Sequence, residues 1–158
     1  MMQITKTNAM RILDAKKIGY EVFVYDNEDG LIHGTAVAEK IGKEPKTVFK
    51  TLVSHSGANL YVFVIPVAEE LDLKKAAKAA GEKKIEMLPV KDLQKWTGYI
   101  RGGCSPVGMK KLYPTFIDSS AEGLDTMAVS AGKIGQQMDL APKLLAEVTN
   151  AKFTELIK

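Results

Sequence analysis

The sequence predicts an α+β fold in which a mixed, strongly curved sheet is flanked by helices. Segments of strand and helix character are interspersed along 158 residues, yet few connections have the regular strand–helix–strand rhythm of a parallel sheet. Two strand runs, 48–53 and 60–65, follow one another closely enough to be joined as a hairpin. No internal repeat, low-complexity tract or Pro/Ser-rich linker divides the chain, so residues 1–158 are read as a single domain. At this length about 68–70% of the unfolded surface is buried on folding, and no disulfide or metal scaffold is required.

The elements follow in order. Ala9–Lys17 reads as a first helix behind the cap candidates Thr7 and Asn8, with Gly19 closing it. Tyr20–Tyr25 alternates as a strand, and Asp26–Gly30 is turn-like. Thr35 is the expected cap of a short helix, Ala36–Ile41, stopped by Gly42. Val48–Val53 is a strand, Ser54–Asn59 a turn, and Leu60–Ile65 an apolar run of strand length, expected to be buried on both faces. Asp72 caps a helix whose Leu73, Ala76, Ala77 and Ala80 fall at i, i+3, i+4 and i+7, with Gly81 at its C-terminus. A short strand, Lys84–Met87, precedes a helix opening at Pro89 and running to Trp96. Gly98–Gly108 is glycine-rich and irregular; the strands Thr115–Asp118 and Thr126–Ser130 come after it. A last helix opens at Pro142 with Leu144, Leu145 and Val148 inward, and Phe153–Ile157 ends the chain as a strand or last turn.

Composition excludes some classes of function. The chain is 46% hydrophobic and 26% charged, as an ordinary globular protein is. Its one cysteine, Cys104, rules out an intrachain disulfide and a four-thiolate zinc site, and fits the reducing cytosol. Met1–Lys17 is polar with no apolar h-region, so no secretory signal is expected. The longest apolar run, Leu60–Ile65, is far shorter than the roughly 20 residues of a membrane helix. The expected location is therefore cytoplasmic, with no membrane partner. A net charge of +3 permits phosphate contacts without demanding them.

Candidate chemistry rests on a few residues. His33 and His55 both fall in turn-like polar segments, and no nucleophile-elbow pattern accompanies them. No His/Cys/Asp cluster has zinc-like spacing, so no metal or other cofactor is expected. Ser130–Gly135 has the look of a phosphate loop, but Met127 and Ile134 stand where a Walker A motif needs Gly and Ser or Thr. That leaves a strand ending in a tight turn, with Ser130 as a polar group at its end. The loop Gly98–Gly108 can bring successive N–H groups onto one oxygen, or is a long surface connection. Lys50 sits between Val48 and Leu52 on one strand face: either its amine snorkels at an edge or it points into a pocket, where it can hold a phosphate or polarise a carbonyl. Lys74, Lys75 and Lys78, followed by Lys83 and Lys84, form a solvated face or a track for an RNA backbone.

Four blocks in order resemble the YbaK family of aminoacyl-tRNA deacylases: Val48–Leu52, Leu71–Lys78, Thr97–Pro106 and Val129–Lys133, with Asp139–Phe153 closing the match. The family is related to the editing domain of bacterial prolyl-tRNA synthetase, and its members act in trans. The resemblance implies a barrel-like mixed sheet and places Lys50 at the family's essential lysine. It matches Gly102 and Pro106, with Gly103 between them, to a Gly-x-x-x-Pro loop beside the substrate, and puts Tyr25, Thr51, Tyr99 and Ser130 at pocket positions. It implies deacylation of Cys-tRNA(Pro), and of Cys-tRNA(Cys), the substrate thiol attacking its own ester and releasing a thiolactone. The partners implied are the acceptor end of an aminoacyl-tRNA and prolyl-tRNA synthetase; oligomeric state is left open by the sequence, with a monomer as the default expectation. An alanine-specific branch using water, and a non-catalytic RNA- or synthetase-binding module, are the alternatives. Two positions depart from the family pattern: Cys104 replaces an apolar residue, and Gln137, with Asp139 nearby, stands where an acid is expected.

Overall fold

The computed structural model describes residues 6–158, so the first part of the Met1–Lys17 stretch lies outside the described residues. Helix α1 (Asn8–Ala15) is capped by Thr7, whose hydroxyl accepts from the Met10 N–H and donates to the Ala131 carbonyl at 2.6 Å. Strand β1 (Glu21–Val24) leads through the Asp26–His33 loop to α2 (Gly34–Lys40). The expected cap, Thr35, lies inside this helix, and His33 occupies the cap position. Gly34 explains the earlier start. A Cβ there would fall 2.5 Å from the Val67 side chain, so the helix can dock onto Val67 only through a glycine.

Strands β2 (Phe49–Ser56) and β3 (Asn59–Pro66) form the expected hairpin, with a turn shortened to Gly57 and Ala58 and Gly57 at φ +58°. His55 is consequently a strand residue and not a turn residue. Helix α3 (Leu73–Ala80) is capped as read: the Asp72 carboxylate accepts from the Lys74 and Lys75 N–H groups, and Gly81 closes it in the left-handed region. Then come β4 (Glu86–Met87), α4 (Val90–Thr97), β5 (Thr115–Asp118), β6 (Met127–Lys133), β7 (Gln136–Leu140), α5 (Pro142–Thr149) and β8 (Lys152–Thr154). Strand β7 has no counterpart in the sequence reading. Its Gln136-Gln137-Met138-Asp139-Leu140 is too polar to register as a buried strand, yet all five residues are buried.

The architecture is mixed α+β with two sheets. One is antiparallel, in the order β1-β7-β6; the other, β4-β2-β3-β5-β8, pairs β2 antiparallel with β3 and β4 and continues in parallel through β5 and β8. The single barrel-like sheet expected from the sequence is not formed. Among the described residues neither sheet closes, and the two are joined by one parallel bridge between Val48 and Ala128. The main core lies between the sheets, where Val53, Val62, Val64 and Ile117 meet Val129, Met138 and Leu140, with α1 and Leu145 of α5 at its ends. Phe63 and Ile65 face the other way, into a second cluster under α3. Leu60–Ile65 is therefore buried on both faces, as its unbroken hydrophobicity predicts. Val48, Val67 and Ala128 form a third cluster beneath α2, at the point where the sheets touch.

Candidate functional site

Beside that third cluster opens a cavity of about 660 Å³, within the range of small-molecule and cofactor sites. Three stretches build its walls. Val48 and strand β2 from Phe49 to Leu52 contribute one, the Asp26–His33 loop and the start of α2 contribute Gly30 and Ile32–Thr35 with Val37, and the Gly98–Gly108 loop contributes Arg101, Gly102 and Cys104. Ser130 and Gln137, opposite one another on β6 and β7, complete it with Val67.

Lys50 is on the wall and half-buried, which decides between the two readings of its strand position. Burial pushes its amine below the ordinary lysine range, and the carboxylates of Glu70 and Glu69 oppose that shift. It makes no hydrogen bond or ion pair among the described residues. Thr51 also lines the cavity, with its buried hydroxyl oxygen lacking a partner. Ser130 accepts from the Gly132 N–H at 3.1 Å, which leaves its own proton free to donate. Gly102 reaches the wall at φ +88°, where a Cβ would press on the Ile32 methyl at 2.9 Å.

Four other expected site residues do not line the cavity. Tyr25 is buried in the core at the end of β1, its hydroxyl unpartnered and Lys40 Nζ 6.0 Å from its ring centroid. Tyr99 braces the loop from behind: its hydroxyl donates to the Val107 carbonyl at 2.6 Å, and its ring covers Gly132. Burial, with the nearby Cys104, pushes its phenol up to about 12. Gly103 and Pro106 are buried behind the wall, Gly103 against the backbone of Lys133 and Ile134. The cavity thus brings together Lys50, Thr51, Gly102 and Ser130, and the remaining four hold its frame.

Several wall residues were not chosen from sequence. Gln137 is one; the alternation of Gln137 and Asp139 with Met138 and Leu140 is the signal that marks its strand face. Its Oε1 is buried without a partner. Ile32, His33 and Arg101 lie in loops with no periodic signal. Cys104 is buried on the wall, and burial, offset only in part by the Thr97 side chain, raises its thiol to about 12. That thiol stays protonated at neutral pH and is a poor nucleophile. His33 has no hydroxyl or thiol bonded to it among the described residues; His55, not on the wall, contacts the Gly57 carbonyl at 3.0 Å. The cavity can therefore offer a cation, hydroxyls, a neutral amide and glycine backbone, which suits positioning and polarising a carbonyl more than covalent attack by the protein.

Comparison with known proteins points the same way. The sequence model of the aminoacyl-tRNA editing domain matches residues 34–148. A protein of Enterococcus faecalis, EbsC, whose name assigns it as a Cys-tRNA(Pro)/Cys-tRNA(Cys) deacylase, is 47% identical over 152 residues, covering 96% of this chain and 93% of its own. In fold, the chain is similar to a crystal structure described as a trans-editing enzyme for prolyl-tRNA synthetase, with a TM-score of 0.84 at 22% identity over 98% and 99% of the two chains. A second crystal structure, of a hypothetical protein, gives a TM-score of 0.85 at 19% identity over 94% and 97%.

Proposed function

The chain belongs to the aminoacyl-tRNA editing domain family, and from that premise we propose that it is a free-standing deacylase of mischarged Cys-tRNA(Pro), acting in the cytosol as a monomer. The observation that carries this reading is the half-buried Lys50 amine, without an ion pair, on the wall of a cavity that also holds the Gly102 backbone. An aminoacyl ester is already activated, so catalysis reduces to orientation and to stabilising the charge that gathers on the carbonyl oxygen. Lys50 anchors that carbonyl or the terminal nucleotide; Thr51 and Ser130 supply hydroxyls; Gly102 lets the backbone approach the ester. Tyr25, Tyr99, Gly103 and Pro106 act through the frame they hold.

The attacking group is the cysteine thiol of the substrate. Its sulfur forms a bond to the carbonyl carbon, the bond from that carbon to the ribose oxygen breaks, and the thiol proton passes to that oxygen. The products are a thiolactone and a tRNA with a free terminal hydroxyl. The cavity accommodates the aminoacylated end alone, so tRNA choice is assigned to prolyl-tRNA synthetase as partner.

Release of amino acid from Cys-tRNA and Ala-tRNA by the isolated protein tests the proposal. Cys-tRNA is expected to be cleaved at least 100-fold faster, and Lys50→Ala to cost about 10²–10³ in kcat, the range for losing one preorganised donor. Equal rates on the two esters would replace the thiol mechanism with a water-using one. A Lys50→Ala variant as fast as wild type would reduce Lys50 to a snorkelling residue with no part in the chemistry, and a wild type inert on both esters would reduce the protein to a binding module. tRNA selectivity unchanged by added synthetase would remove that partner.

A further inference from the structure

Gln137 shares the cavity wall with Lys50. The parallel bridge pairs Val48 with Ala128, and both side chains enter the cluster beneath α2. Two residues after each of them, Lys50 on β2 and Ser130 on β6 share their faces by strand alternation. Gln137 lies directly opposite Ser130 on β7, and all three line the cavity.

Gln137 is 6% exposed, and its Oε1 has no hydrogen-bond partner. Buried acceptors are partnered in nearly all native structures, so a lone one on a cavity wall calls for a donor from the ligand. The terminal amide torsion of glutamine is broad and roughly two-fold, and a half-turn that exchanges Oε1 with Nε2 turns that oxygen toward the cavity. An aminoacyl ester offers few donors near its reacting carbon. Its carbonyl and ester oxygens only accept, and a thiol donates weakly. Two good donors remain, the vicinal ribose hydroxyl on the nucleotide side and the α-amino group on the amino-acid side, one carbon from the carbonyl; only the second is altered by N-acylation. Thr51, the other orphan on the wall, can donate or accept and so selects nothing by itself.

We propose that Gln137 is a specificity-determining residue that accepts a hydrogen bond from the free α-amino group of the aminoacyl ester, so that the site takes free-amine esters and disfavours N-acylated ones. The proposal rests on the deacylase reading above. It is tested by steady-state cleavage of Cys-tRNA and N-acetyl-Cys-tRNA by wild type, Gln137→Met and Gln137→Glu. Wild type is expected to show a KM about tenfold higher for the acetylated ester with kcat within twofold, the size of one hydrogen bond in a desolvated site. Gln137→Met keeps the shape and removes the acceptor; it should raise KM for Cys-tRNA about tenfold and bring the two esters within twofold. Gln137→Glu keeps an acceptor and should keep the preference for the free amine, so the test stands even where the methionine variant folds poorly. Wild type inert on both esters defeats the deacylase reading itself. Wild type active on both with equal KM leaves that reading intact and overturns this one, as does a Gln137→Met that retains the preference or a Gln137→Glu that loses it.

Discussion

On one side of the cavity Gly102–Cys104 lies against the turn joining β6 and β7; on the other, residues 26–33 arch over the start of α2. The first wall is set by contact between backbones. A Cβ on Gly103 would meet Ile134 N at 3.1 Å and the Lys133 carbonyl carbon at 3.3 Å, while the Tyr99 side chain covers Gly108 and Gly132. The second wall is largely exposed and tied down by a single cation. Lys40 Nζ donates to the Asp26 carbonyl at 2.6 Å, to Asp29 Oδ1 at 2.8 Å and to the Leu31 carbonyl at 3.1 Å. The two meet where Ile32 lies against Gly102 and where Asn27 approaches Gly135 in the β6–β7 turn. The difference separates two duties: the packed wall defines where an ester carbonyl can sit, and the tethered wall governs how firmly the ligand is enclosed.

The sharpest way to break this contrast is Gly103→Ala. Neither neighbour of the new methyl is a movable side-chain tip, so the loop or the turn must shift by a few tenths of an ångström. The expected cost is about 1–3 kcal/mol of stability, as for overpacking in a core. Displacement of Gly102 from the wall should lower kcat at least tenfold even below the melting transition. Chemical denaturation and single-turnover cleavage measure the two effects. Wild-type stability with wild-type kcat would show that the wall is compliant.

The packed wall should also carry a signature in alkali. Cys104 titrates near 9.0 when unfolded and at about 12 when folded. Between those values the unfolded chain has released the proton that the folded chain keeps, so the thiol's stabilising contribution is complete below pH 9 and is lost as pH rises toward 12. One such group changes the slope of stability by about 1.4 kcal/mol per pH unit in that window. Cys104→Ala should flatten the alkaline slope by close to that amount, leaving the share due to Tyr99, whose phenol shifts from 10.0 to about 12. Urea midpoints from pH 8 to pH 11 read it out. An unchanged slope would mean that the thiol reaches solvent.

The same contrast explains what the sequence made legible. Helix α3 could be read to its caps because Asp72, the apolar stripe and Gly81 all act locally. The β2–β3 hairpin was legible because one run is too apolar to face water. Lys50 stood out because a charge between apolar neighbours on a strand must be explained, although only the fold decides between edge and pocket. Strand β7 was hidden because its polar residues are buried by the partners they find in three dimensions, such as Asp139 with Lys43 and Thr126. The open arrangement of two sheets was also beyond reach, since it turns on the single Val48–Ala128 bridge between segments 80 residues apart. The tethered wall left no periodic trace at all.

That wall gives the smallest expected effect and the most specific one. Lys40→Met keeps the aliphatic stem and removes the amine that gathers three oxygens from residues 26–31. The lysine–aspartate pair is partly exposed, and such pairs contribute little to global stability, so Tm should fall by no more than about 3 °C. Freed from the tether, the loop carries Gly30, Ile32 and His33 away from the cavity for part of the time. KM should then rise about three- to tenfold while kcat, set by the packed wall, stays within twofold. Acid should mimic the variant. The Lys40 cation and the Leu31 N–H hold the Asp29 carboxyl below the usual range, so its half of the tether is present above its unfolded pKa and is lost as pH falls through the lowered value. A kcat that dropped together with KM unchanged would place residues 26–33 in the chemistry of the site and make the two walls one unit.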